Sequence, residues 1–275
     1  MADREHDGAE DQDEVYLDLG RTGARWGALL VAFWSAVMFY GAVDLAVVPT
    51  QDDGFYDSYL LETGWGVLFT FLVPLPLVLF AVHLDQLVHV HQSLAVSLGM
   101  VLAAILAPSV GQLALGLFLA AVGALLLVVA AGRPHLPRRW QAIGGGRALF
   151  SWVEPVLTVL ALVALVGGIA YALDMTRALH DGETDDVTWN LRHLPMQAAL
   201  GLALAGTALV TAGGAGVRAA GWRASAVAPA LSAAWLGVVS VVYPHHTGSL
   251  GSAGGVAALV WGVLFLGASL VVRRR

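Results

Sequence analysis

The sequence predicts an all-α fold, a polytopic membrane helix bundle of about eight transmembrane helices, and three observations carry that expectation. Of the 275 residues, 58% are hydrophobic and only 12% charged. A water-soluble domain carries about a quarter charged residues, so this chain cannot cover a water-facing surface. Its mean hydropathy is +0.74. Its apolar residues fall in runs of about 20, the length that crosses roughly 30 Å of hydrocarbon as a helix.

In chain order, residues 1–20 form an acidic tail read as disordered, in which Asp3, Glu5, Asp7, Glu10, Asp11, Asp13, Glu14 and Asp18 account for much of the net charge of −6. An acidic start of this kind is not a secretory signal. The transmembrane domain covers 21–275, with predicted spans at 25–48, 63–82, 92–108, 110–132, 150–172, 194–214, 224–243 and 251–272. Ala107-Pro108-Ser109 separates the third span from the fourth, and the proline there turns one long apolar run into a hairpin. Residues 133–149, with Gly144-Gly145-Gly146, read as a flexible linker between two halves, 25–132 and 150–272. Segment 40–79 can be laid over 171–210. Each has a tyrosine near a helix end, an aspartate shortly after, an acidic loop and an apolar span. Four spans per half would make a parallel repeat about an axis along the membrane normal, although any two helix–loop–helix segments with an acidic loop look alike at this level.

The arginines give the expected orientation. Arg21 and Arg25 precede the first span, Arg133, Arg138, Arg139 and Arg147 follow the fourth, Arg218 and Arg223 follow the sixth, and Arg273, Arg274 and Arg275 end the chain. These segments alternate with loops rich in acid: Asp52, Asp53, Asp57 and Glu62 in one, Asp174, Asp181, Glu183, Asp185 and Asp186 in the other. The positive-inside rule then places both termini in the cytoplasm and the protein in the cell membrane, against lipid and other membrane subunits.

Composition excludes several chemistries. With no cysteine there is no disulfide, thiolate metal site or iron–sulfur cluster. All 14 basic residues are arginine, which excludes a retinal Schiff base and a P-loop of the usual kind. No basic run with interleaved aromatics suggests nucleic acid as a partner. Trp26, Tyr40, Trp65, Trp152, Tyr171 and Tyr243, near span ends, read as interface belts. Glu154 reads as a carboxylate favoured by the start of the fifth span, and the small-residue runs 213–216 and 251–255 as close helix packing.

Histidines are the main polar residues left to explain, because an ionisable group at membrane depth costs a few kcal/mol unless paired or ligated. His6 lies in the tail and His135 in the arginine loop. His83, Asp85, His89 and His91 sit at the cytoplasmic end of the second span; if that helix continues, Asp85 and His89 face each other four residues apart. At the outer end are Asp174, His180 and His193, bracketing the loop between spans five and six, and His245 with His246 after span seven. Imidazole and carboxylate donors suit copper(II), zinc or iron, with Met196 as the one sulfur donor nearby. A polar rim wetted by water accounts for the same residues.

The spacing His180-x12-His193, with His193 heading an apolar span, resembles the Asp-x3-His-x12-His copper motif in one of the integral membrane subunits of the membrane-bound copper monooxygenase family, which includes particulate methane and ammonia monooxygenases. The segment DDGFYDSYLLETGW is also similar to the early acidic-aromatic loop of the same polypeptide. The resemblance implies a copper ion held by Asp174, His180 and His193, with His245 and His246 as further donors. It also implies partner membrane subunits, and dioxygen activated for insertion into a small-molecule substrate. The family's acid falls four residues before the first histidine, where this sequence has Thr176. Asp174 is six away, about 240° round an ideal helix, so the helix would have to unwind at Met175–Leu179 or the acid come from Asp181, Asp185 or Asp186. Two other functions fit the composition: a small transporter or permease using the outer histidines, and a structural membrane subunit without catalysis.

Overall fold

The computed structural model describes residues 20–47, 59–131, 154–183, 185, 187–188 and 190–272. The acidic tail with His6, the loop acids Asp52, Asp53 and Asp57, the linker with His135 and its arginines, Trp152, Asp186 and the three final arginines lie outside the described residues. The chain folds as an all-α helical bundle. Among the described residues, seven helices are long and apolar enough to cross a membrane.

These seven correspond to the second through eighth predicted spans. Helix α3, Tyr59–Val67, passes through a π turn at Leu68–Leu72 into α4, Pro74–Val82. Pro74 has no N–H for the helical ladder, and the wide turn lets the Val73 N–H reach Leu68 O, five residues back, at 2.8 Å. Next come α5, Val88–Leu106, and α6, Val110–Ala131, joined by the expected Ala107–Ser109 turn. Helix α7, Pro155–His180, starts where Pro155 supplies a pre-set φ and Glu154 Oε2 accepts the Leu157 N–H at 2.7 Å. A two-residue ladder, β1 (Val187–Thr188) with β2 (Leu191–Arg192), leads into α8, His193–Gly216. One turn of helix, α9 (Trp222–Ser225), precedes α10, Val227–Val242, and α11, Gly251–Val271, closes the bundle.

The first predicted span, 25–48, is divided. Helix α1 covers residues 20–38, its last turn the π segment Trp34–Met38, and a break at Phe39–Tyr40 separates it from α2, Gly41–Val47. Tyr40 sits at φ 56°, a left-handed conformation that interrupts the helix ladder. Arg25 Nε donates to Ala81 O at 3.1 Å, and the Trp65 indole N–H donates to Phe39 O. Helix α1 therefore runs antiparallel along the length of α3 and α4.

Helix α8 is the hub, packed on α7, α5 and α3, and its run of alanines and glycines permits the close approach. The α5–α6 hairpin seats on α8, and α10 of the α10–α11 hairpin seats on α3. Gln112 ties α6 inward, its amide donating to Met100 O and Pro195 O at 3.1 Å each. Helices α6, α7 and α11 expose Leu117, Phe118, Leu125, Val159, Val166, Val263 and Leu264 along their outward faces, the surface that hydrocarbon would cover.

Two local expectations are corrected. Trp65, Tyr171 and Tyr243 are buried among helices rather than set in an interface belt, whereas Trp26 and Tyr40 are exposed. The second span does not continue through the histidine cluster: α4 stops at Val82, and α5 begins after a turn at 83–87. Asp85 is left exposed in that turn and His89 is fully buried, so the two do not pair.

Candidate functional site at the acidic end

Asp185 fixes where α8 begins. One carboxylate oxygen accepts the Leu194 N–H at 2.9 Å, and the other bridges Arg192 Nε at 2.8 Å. A carboxylate over the first turn satisfies a backbone donor and complements the positive end of the helix. This cap sets His193 at the helix head with its ring turned inward, 1% exposed. There Nε2 lies 3.3 Å from Glu62 Oε2, on α3. The Trp65 ring flanks the imidazole, centroids 5.4 Å apart.

One turn further along α8, Gln197 Nε2 donates to the Tyr171 hydroxyl at 2.6 Å, and that hydroxyl donates to Gly248 O at 2.6 Å. These two bonds join α8, α7 and the loop between α10 and α11. Gly64 lies against Gln197 so closely that a Cβ there would run into the amide. Glu62, His193, Gln197 and Tyr171 therefore form one continuous polar line between α3, α8 and α7. A proton on His193 makes its contact with Glu62 an ion pair; a neutral ring leaves the carboxylate with one hydrogen bond at most.

Asp44, on the short helix α2 outside the helices of spanning length, completes the group. Its carboxyl is pushed up to about 7, first by burial and then by the Glu62 carboxylate, while His193 pulls it down. Between its ordinary value of 3.8 and about 7, the folded chain holds a proton that the unfolded chain has released. Stability therefore falls as pH rises through that window and levels off above it. Asp44→Asn is expected to remove this slope. In detergent, the variant should melt with the wild type at about pH 4 and several degrees above it at about pH 8. Equal melting temperatures at the higher pH would mean that Asp44 titrates as an ordinary aspartate.

The residues expected to hold copper are placed apart. Helix α7 stays wound through Met175–Leu179, so Asp174 and His180 project from different faces, both exposed. His180 Nδ1 lies 2.6 Å from Thr176 O, within its own helix. His245 is exposed, and His246 packs edge-on against Tyr243 with centroids 5.2 Å apart. Asp181 ends α7 in solvent, and Asp185 is committed to its cap. Among the described residues, no three histidines or carboxylates stand together as a metal would need. Of the expected set, only His193 belongs to the polar line, and its acid is Glu62.

Sequence reasoning left out Glu62, Asp44, Tyr171 and Gln197 as members of one site. A signal for Glu62 was present: when 40–79 is laid over 171–210, Glu62 and His193 fall at the same position, and these are the two residues that meet. No family model matches the chain, and neither a curated protein nor a solved structure does.

Proposed function

We propose that this multi-pass membrane protein is a proton-coupled transporter whose Glu62–His193 pair, with Asp44 beside it, is the proton-binding site at the acidic end of the bundle. The observation that carries this reading is a fully buried imidazole in contact with a carboxylate of another helix, flanked by a second acid whose titration falls near neutrality. Groups of that kind in a membrane bundle take up and hand on protons. With the arginine-rich segments in the cytoplasm, this end faces outward. Purified protein in phosphatidylethanolamine–phosphatidylglycerol vesicles loaded with a pH dye should dissipate an imposed pH gradient. Vesicles no leakier than empty ones would end the proposal.

The copper-monooxygenase reading draws support from His193 at the head of an apolar helix, with twelve residues between it and His180. Metal analysis decides it. Stoichiometric copper that is lost in both His180→Ala and His193→Ala would replace the proton reading with that one.

A further inference from the structure

Among the described residues, the helices bury one histidine besides His193, and it lies at the opposite, arginine-bearing end. His89, the second residue of α5, is fully buried. Three segments build its surroundings. The α4–α5 turn supplies Gln86, whose Oε1 is 3.1 Å from His89 Nε2. The turn before α9 lays Gly221 over this pair at φ 79°, so close that a Cβ would meet Gln86 Oε1 and come within 2.9 Å of His89 Nε2. Along α5, Gln92 donates from Nε2 to Ser225 O at 2.7 Å and to Thr211 Oγ1 at 3.3 Å. Those two acceptors fix which end of the Gln92 amide is which.

The consequence is two buried acceptors with no donor. Nε2–H of His89 is committed to Gln86 Oε1, which leaves Nδ1 a bare lone pair. Nδ1 of His89 and Oε1 of Gln92 are both buried without a hydrogen-bond partner. The two residues are three apart on one helix, near enough for their side chains to couple. Leaving such atoms unsatisfied is costly, and a single proton on Nδ1 satisfies both, because imidazolium has two donors and would then face two amide oxygens.

The charged groups around the ring are few. His83 and Asp85 lie exposed in the α4–α5 turn, and His91 follows with Nδ1 2.8 Å from Leu87 O. Arg218 and Arg223 lie on the α8–α9 side, Arg223 donating to Val272 O and resting 4.8 Å from the Trp222 ring centroid. On the α1 side, Arg25 donates to Ala81 O. Helices α6 and α10 contribute no ionisable residue.

We infer that His89 is a second proton-accepting site, working in series with the Glu62–His193 pair along the seam between α5 and α8. This inference rests on the proton-coupled reading above. The two sites lie about 27 Å apart, judged by the rise of α8 from His193 to Thr211. Buried hydroxyls of Ser93, Ser97, Thr207 and Thr211 lie between them along α5 and α8. A proton arriving along the seam binds Nδ1, the imidazolium donates to Gln92 and Gln86 together, and loss of the Nδ1 proton to water at the arginine end returns the neutral ring.

The test uses the full chain. In the vesicle assay, His89→Gln is expected to slow proton uptake by about a hundredfold, the low end of what a positioned proton-transfer group supplies, with its melting temperature kept within a few degrees. In lipid nanodiscs, the 15N-histidine spectrum should show His89 passing from the Nε2–H tautomer to the doubly protonated ring as pH is lowered, and Gln92→Leu should move that transition to lower pH. A folded His89→Gln protein that transports like the wild type overturns the inference, as does a ring that never takes up the second proton, or a transition that Gln92→Leu leaves in place. If wild-type vesicles carry no flux, the transport reading falls, and the nanodisc titration alone decides whether His89 accepts a proton.

Discussion

Vesicles carrying His193→Gln or Glu62→Gln are expected to lose proton flux by about a hundredfold or more, the range in which positioned acid–base groups act. Glutamine preserves the size of a buried side chain and its capacity to hydrogen-bond, so packing at the head of α8 survives while titration is lost. The informative variant is the exchange, Glu62→His with His193→Glu. Both residues occupy corresponding places in two similar helix–loop–helix segments, and they meet at 3.3 Å across the contact of α3 with α8. Exchange keeps one acid facing one imidazole beside Asp44. Flux restored to within about tenfold of the wild type, when each single change abolishes it, would show that the pair acts as a unit, as coupling between contacting residues requires. If the single variants transport normally, the pair is a packing contact and nothing more.

Gly168→Ala is expected to cost about 1–3 kcal/mol, the usual penalty for forcing a methyl group into a filled interface. Its neighbour Gly167→Ala should leave stability unchanged or raise it by about 0.5–1 kcal/mol, the helix-propensity gain alone. The two glycines are adjacent on α7 and face different surroundings. A Cβ on Gly168 would run into Gly201 O on α8, and one on Gly201 would come within 2.8 Å of Gly168 O. Nothing lies within 4 Å of a Cβ at Gly167. Because α7 also carries Tyr171 to Gln197, Gly168→Ala is expected to weaken the polar line together with the fold. Thermal unfolding in one detergent, with both variants side by side, reads the difference. Equal melting temperatures would mean that α7 and α8 are free to separate without cost.

The bundle itself was legible in the sequence because length and hydropathy are local properties. A run of about 20 apolar residues forms a helix in hydrocarbon whatever its neighbours do, since every backbone polar group must be paired within the segment. The Pro108 hairpin and the Glu154 cap were readable for the same reason: proline lacks a donor, and a carboxylate belongs at a helix start. The first span was less legible. Its apolar run continues through Phe39 and Tyr40, and only packing against α3 makes the chain turn there, with the Trp65 indole holding Phe39 O.

The candidate site was legible in part. His193 stood out as an ionisable residue at the head of an apolar span, while the acids that spacing offers it are its near neighbours in the chain. Asp174 and His180 were natural choices by spacing, but a helix that stays wound to His180 turns them away from each other. Asp85 and His89 failed in a related way, because the helix assumed to join them stops at Val82.

What the sequence determined alone was therefore the solvent of this protein and the number and rough limits of its long helices, along with a short inventory of polar groups able to do chemistry. Which of those groups meet was decided by tertiary structure. Helix–helix contact joins residues far apart in the chain, Glu62 to His193 and Gln92 to Ser225, and helical spacing within a single span does not encode such pairs. The physical reason is burial. In an apolar interior a polar side chain is held wherever a partner from another helix removes its desolvation cost, and that partner is known only once the helices have packed.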